Sequence, residues 1–237
     1  DQWVSDPGRE KVPIDDLLST DQTKSMVDSF KEDKANTSSE LNKMPELKAN
    51  RDTTYFAVVD GEGNAVSMIQ SVYHEFGSGF MADGGFVLQN RGSFFSLDGN
   101  HINKLEAGKK TFHTIMPGMI LKNNEPYLLL GAMGGEGQPQ TQSALITRII
   151  DFGYDVQQAI EAPRWLYGRT WGDDSDSLKF EKRVSDSTIQ TLTNFGHEVE
   201  LLPSFSQTMG HAQAIRIEDE FYEAGADPRG DGIALSW

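Results

Sequence analysis

Two short runs rich in β-branched and aromatic residues, Thr54–Val59 and Ala65–Val72, flank the segment Asp60-Gly61-Glu62-Gly63-Asn64. Strand formers on either side of a turn-forming cluster are the signature of a β-hairpin. With Val59 opposite Ala65, an unbroken antiparallel register carries Thr53 to Ser71 at the hairpin's open end. Directly opposed residues hold their Cβ atoms about 4.5–5.5 Å apart, so two hydroxyls are expected to meet there. A single bulge would shift that register. Thr and Ser are also ordinary strand residues, so the pairing alone leaves its chemical use open.

The chain has 237 residues, enough to bury a core as one large domain or two small ones. Its charged fraction of 24% is that of an ordinary globular protein. The formal net charge of −15 argues against a nucleic-acid partner, whose affinity depends on Lys and Arg. Apolar runs such as Tyr127–Leu130 are too short to cross a bilayer, so no membrane partner is expected. With no cysteine, disulfides, thiolate metal sites and a Cys nucleophile are excluded, while the compartment stays unassigned. The sequence opens on Asp1-Gln2-Trp3 without a signal-peptide pattern and reads as a piece of something longer, either a processed chain or part of one.

Residues 1–52 are polar, with one helix expected around Gln22–Phe30 behind an Asp21 cap and a loosely anchored stretch from Lys31 to Asp52. Beyond the hairpin, short strands are expected at Phe86–Gln89, Gly118–Lys122 and Pro126–Leu130. The turn Gly131-Ala132-Met133-Gly134-Gly135-Glu136-Gly137 then leads into a helix with Leu145, Ile149 and Phe152 on one face, stopped by Gly153. Asp155 caps a further helix that Pro163 ends, and another is expected near Asp186–Phe195. Strands at His197–Leu202, Gln213–Ile217 and Phe221–Ala224 complete the chain. Helices segregated from strands in this order point to a layered α+β sandwich.

Other candidates carry less. The five histidines show no metal-ligand spacing, so no metal site is expected. The glycine turn lacks the Lys-Ser/Thr ending of a phosphate-binding loop. Its backbone N–H groups, just ahead of a helix, would suit an oxyanion hole, or the turn is simply a tight strand-to-helix connection. Ser71, Ser143 and Ser185 are not in a Gly-x-Ser-x-Gly elbow. Arg164 reads as an ion-pair or carbonyl-binding arginine, and Asp173–Asp176 as a solvated loop.

Several runs together resemble the γ-glutamyltransferase family, which also holds cephalosporin acylases: DTTYFAVVDGEGNAVS (52–67), FGSG (76–79), LQNRGSFFSLD (88–98), TFHTIMPGMI (111–120), GAMGGEG (131–137), GYDVQQAIEAPRW (153–165) and AGADPRGDGIA (224–234). They cover nearly the whole chain in consistent order. The resemblance implies a four-layer αββα sandwich of the N-terminal-nucleophile hydrolase class. It divides the chain into residues 1–52, the tail of a large subunit, and 53–237, a small catalytic subunit. It implies a precursor that cuts itself between Asp52 and Thr53 and needs no cofactor. Ser71 matches a threonine whose hydroxyl contacts the nucleophile, and Gly134 and Gly135 match two glycines whose N–H groups bind the oxyanion. Asn90 matches an asparagine just before the substrate-reading segment.

The chain departs from the glutamyl-reading pattern at Phe94, Arg91, Tyr73 and the pair His113-Thr114, and the lid loop is short between Leu97 and Lys109. Tyr73, Asn90, Arg91, His113 and Thr114 are therefore the expected substrate-side residues. Arg91 would pair either with a substrate carboxylate or with a local acid such as Asp98. The reading is an N-terminal-threonine amide hydrolase acting on a small amide or γ-glutamyl-type substrate, with the large subunit as its partner and higher oligomers left open. γ-Glutamyl transfer or glutathione hydrolysis proper is the nearest variant. An uncleaved binding protein is the reading from another class, and a nucleotide-binding protein the least supported.

Overall fold

The computed structural model describes residues 4–35, 51–168 and 175–237, with backbone alone for Arg51 and Asp52. Two helices come first, α1 (Ile14–Leu17) and α2 (Thr20–Ser29). The N-cap of α2 is Ser19, whose Oγ accepts the Gln22 N–H at 3.0 Å, and not Asp21. Ser19 has the extended backbone a cap requires, whereas Asp21 already lies inside the first turn. The chain is anchored again at Ala35, which is buried and whose N–H reaches the Phe195 carbonyl at 2.7 Å. The rest of the expected loose stretch, residues 36–50, lies outside the described residues, as do Asp173 and Asp174 of the expected solvated loop.

The hairpin consists of β1 (Arg51–Val59) and β2 (Ala65–His74). Asp60 organises its turn by accepting the N–H groups of Glu62 and Asn64. A four-stranded antiparallel sheet follows from β3 (Gly118–Lys122) and β4 (Glu125–Met133), joined later by β8 (His211–Ile217) and β9 (Tyr222–Ala226) in the order β3-β4-β8-β9. Alternation gives each strand two faces. Leu128, Leu130, Ala132, Ala212 and Ala214 form the face packed against α3 (Gln138–Ile146) and α4 (Val156–Glu161), through Leu145, Val156, Ala159 and Ile160. The opposite face receives the hairpin, with Tyr55 of β1 lying on the Cα of Gly131 so closely that a Cβ there would overlap the ring.

The chain thus builds a helix layer, a sheet and a second β layer. This is the α–β–β portion of the expected αββα sandwich, and the architecture is α+β. On the hairpin's outer face the cross-strand pairs Phe56–Met68 and Val58–Val66 are exposed.

Three details differ from expectation. Phe86–Gln89 forms an isolated bridge, Met81 to Val87, because the glycine-rich stretch around it folds back in tight turns. Phe152 is 70% exposed although Leu145 and Ile149 are buried. The helix passes into a π turn over Thr147–Asp151, and the wider turn carries Phe152 off the apolar stripe. A third sheet, made of β5 (Trp165–Tyr167), β6 (Leu178–Glu181) and β7 (Val199–Leu202), was foreseen only at β7. Every residue of β6 is buried, Lys179 and Glu181 included, so the strand shows no polar-apolar alternation to read. Helix α5 (Asp186–Asn194) connects β6 to its parallel neighbour β7 behind a Ser185 cap.

Candidate active site

The two hydroxyls meet. Thr53 Oγ1 donates to Ser71 Oγ at 3.0 Å, both residues being partly buried. They meet across a bulge. Pairing runs regularly from Val59–Ala65 to Thr54–Gln70 and resumes one step out of register at Asp52–Tyr73, so Thr53 faces both Ser71 and Val72. Beyond the bulge Tyr73 adopts φ 76°, a conformation that costs a bulky residue on the order of 1–3 kcal/mol. Its N–H donates to Ser71 Oγ at 3.0 Å.

Three contacts fix the hairpin's direction over the larger sheet. Near the hairpin turn, the Asp60 carbonyl accepts from the Tyr222 hydroxyl, and Tyr222 pairs with Ile217 at one end of β8. Further along, Ser67 Oγ donates to the Gly118 carbonyl at 2.8 Å, and Gly118 pairs with Leu130. Tyr55 then lies over Gly131. Moving back along β1 is therefore moving forward along β4, which sets Thr53 at the end of the stack where β4 runs out into Gly134. Burial pushes the Tyr55 phenol up to about 12, partly opposed by its hydrogen bond with Ser67, so this anchor is neutral at ordinary pH.

At that end Gly134 has φ 151° and Gly135 φ 53°, after which a short 3-10 turn enters α3 with Pro139 in its first turn. The glycine turn is backed by Gly210. A Cβ on Gly134 would stand 3.5 Å from the Gly210 Cα, and one on Gly210 would enter the Met133 carbonyl. Gly210 combines φ 77° with ψ 169°, a region essentially reserved for glycine.

Arg164 holds this backing in place. Its Nη1 donates to the carbonyls of Gly210 at 2.9 Å and Met209 at 3.3 Å, and its Nη2 meets Asp227 Oδ2 at 2.6 Å. The same Asp227 oxygen accepts the Ala212 N–H at 2.7 Å. Arg229 bridges Asp227 to Glu181, which also takes Arg183 and the Arg164 N–H. Burial pulls the Arg164 guanidinium down to about 10, against the pull of Asp227. Burial raises Glu181, but the Arg229 hydrogen bond and charge outweigh it and hold the carboxyl below its ordinary range. The ion-pair reading of Arg164 thus holds, whereas Gly210, Glu181, Asp227 and Arg229 were missed. Asp227 and Arg229 lie in the run 224–234 that carries the resemblance, but their roles were not read from it, since Arg164, Glu181 and Gly210 lie far away in sequence.

The residues expected on the substrate side lie in a second region. Asn90 Oδ1 accepts the His74 N–H at 3.0 Å and so ties down the end of β2. Arg91 is buried, with Nη1 on Thr114 Oγ1 at 3.0 Å and its guanidinium 5.1 Å from the Tyr73 ring centroid. Asp98 is not its partner and instead accepts the Asn100 N–H. Phe94 meets Tyr73 edge-on at 4.7 Å and Phe112 at 5.5 Å. Thr114 is buried here, while His113 is exposed and its Nδ1 contacts the Thr111 carbonyl at 2.8 Å. Of Asp52 the backbone alone is described, paired with Tyr73. The short loop between Leu97 and Lys109 is held by the N-terminal segment. Ser5 Oγ donates to the Ile102 carbonyl, the Lys110 N–H reaches Asp6 Oδ2, and Lys109 Nζ meets Glu10 at 2.6 Å.

A helix-backed antiparallel sheet stacked on a hairpin, with Thr53 and a glycine turn at one end of the stack, is the architecture of the N-terminal-nucleophile hydrolases. The family described as Gamma-glutamyltranspeptidase matches residues 1–237. The chain belongs to that family. It is 56% identical over 186 residues, 78% of its length, to the glutathione hydrolase-like YwrD proenzyme of Bacillus subtilis (strain 168), covering 35% of that protein. It is 44% identical over its whole length to the oxamate amidohydrolase proenzyme of Klebsiella pneumoniae, covering 44% of that protein. Cephalosporin acylase from Bacillus halodurans superposes on all of this chain with a TM-score of 0.84 at 34% identity, and 42% of the acylase is covered. The chain thus spans less than half the length of these relatives.

Proposed function

We propose that this chain is the catalytic portion of an N-terminal-threonine amide hydrolase, activated by a cut between Asp52 and Thr53. The observation that carries the reading is the Thr53–Ser71 hydroxyl contact of 3.0 Å at the end of the stack where the Gly134 turn lies. The names of the related proenzymes support a precursor that is processed.

In the uncut chain the Thr53 nitrogen is an amide and cannot act as a base. The Thr53 hydroxyl attacks the Asp52 carbonyl, the peptide shifts to an ester on Oγ1, and water hydrolyses that ester. The cut frees an α-amine with an ordinary pKa of about 7.7–8.0, suited to take a hydroxyl proton near neutrality. The amine then removes the Thr53 proton as the oxygen adds to a substrate amide carbonyl, and hands it to the leaving amine. The N–H groups of Gly134 and Gly135 take the oxyanion. Water, or an acceptor amine, resolves the acyl ester. The remainder of the precursor supplies the large subunit, whose helices cover the exposed Phe56, Val58, Val66 and Met68.

The departures from the glutamyl-reading pattern at Tyr73, Arg91 and Phe94, three residues that pack together, favour an acyl group other than γ-glutamyl. Intact-mass analysis of the purified full-length precursor, with a panel of γ-glutamyl, glutaryl and oxamyl amides, tests the proposal. A fragment beginning at Thr53 with turnover on one amide class, and neither in Thr53→Ala, is expected. Full-length protein without turnover, or an active Thr53→Ala, overturns it.

A further inference from the structure

We infer that Tyr73 and Arg91 are positioning residues for the hydroxyl pair, acting through the backbone of the bulge. The inference rests on the reading of Thr53 as nucleophile and concerns what fixes its partner.

Ser71 Oγ accepts two hydrogen bonds of 3.0 Å, from the Thr53 hydroxyl and from the Tyr73 N–H. Both lone pairs of a hydroxyl oxygen are then engaged, so its orientation towards Thr53 is set by the Tyr73 amide. That amide reaches back over two residues because Tyr73 follows the bulge with φ 76°. A non-glycine residue keeps such a backbone only when its surroundings over-determine it.

The surroundings here are specific. Tyr73 is only 3% exposed, and its ring stacks on His74 at 5.1 Å and 15°. Phe94 closes its edge at 4.7 Å, and the Arg91 guanidinium covers it at 5.1 Å. Arg91 is itself fixed, its Nη1 on Thr114 Oγ1 at 3.0 Å and its carbonyl accepting from Thr111 Oγ1 at 3.0 Å. A continuous series of contacts runs from Thr114 through Arg91 and the Tyr73 ring to the Tyr73 amide, Ser71 and Thr53. It matters most before the cut, when no α-amine helps the Thr53 oxygen.

The test uses the full-length precursor and compares Tyr73→Val with Tyr73→Gly. Valine resists positive φ, and glycine accepts it while losing the same ring. Self-cleavage followed by intact mass is expected to slow at least tenfold in the valine variant and to recover most of that loss in the glycine variant. Tyr73→Ala takes the place of valine if that variant does not melt cooperatively. Arg91→Met is expected to lower kcat equally on carboxylated and uncharged amides, with KM unchanged. Equal rates for the valine and glycine variants, or a rise in KM confined to carboxylated amides on loss of Arg91, overturns the inference. Cleavage or turnover in Thr53→Ala sinks the nucleophile reading instead, which keeps the two failures apart.

Discussion

Arg164 and Asp227 form a buried ion pair, 2.6 Å from Nη2 to Oδ2, that holds both sides of the chain entering β8. Asp227 takes the Ala212 N–H and Arg164 the Gly210 carbonyl, so the pair brackets the residue behind Gly134. Truncating one partner strands the other charge in the interior. Asp227→Ala is expected to cost about 3–5 kcal/mol in chemical denaturation, whereas replacing both partners with apolar residues costs less.

Gly210→Ala places a Cβ in the Met133 carbonyl at a φ of 77°. Relief requires the 209–211 backbone to move, and Gly134 moves with it. Turnover is expected to fall at least tenfold for a stability loss of about 1–3 kcal/mol. Measuring kcat beside the melting temperature checks this, and a drop in stability alone would count against the backing role.

Glu181 gives the acid limb of stability a defined sign. Its folded-state pKa lies below the ordinary glutamate value because Arg229, Arg183 and the Arg164 amide outweigh its burial. Its contribution is therefore complete above the unfolded value near 4.5 and is lost as pH falls through the lower folded value. Glu181→Gln is expected to flatten the decline in stability below about pH 4.5 while lowering stability at neutrality. Denaturant midpoints at pH 3, 4, 5 and 7 test it.

Leu145 and Phe152 separate core from surface on one helical run. Leu145→Ala is expected to cost about 2–5 kcal/mol, whereas Phe152→Ala stays within about 0.5 kcal/mol. Comparable losses at both positions would mean that the π turn does not carry Phe152 outward in solution.

The hairpin, β3 and the helix cap at Asp155 were legible because strand formers, turn residues and caps act over a few positions. The Thr53–Ser71 meeting was legible for the same reason, although the register that foretold it breaks at that point. The bulge leaves no local mark, since Val72 and Tyr73 are good strand residues. Strand β6 was missed because Lys179 and Glu181 look solvated until their partners across the fold are known. The surroundings of Gly134 stayed hidden likewise, as they depend on Arg164, Gly210 and Asp227 meeting in space. Resemblance supplied the role proposed for the glycine turn, and the packing of Gly134 against Gly210 is what holds that turn in place.

The docking of residues 4–10 onto the loop before Lys110 bears on what a scission at Asp52 would do. A peptide bond would be lost without loss of mass from the particle, because the severed tail would stay moored through Asp6, Glu10 and Ala35. Denaturing gels would report two species where gel filtration reports one, and urea, not dilution, would be needed to part them.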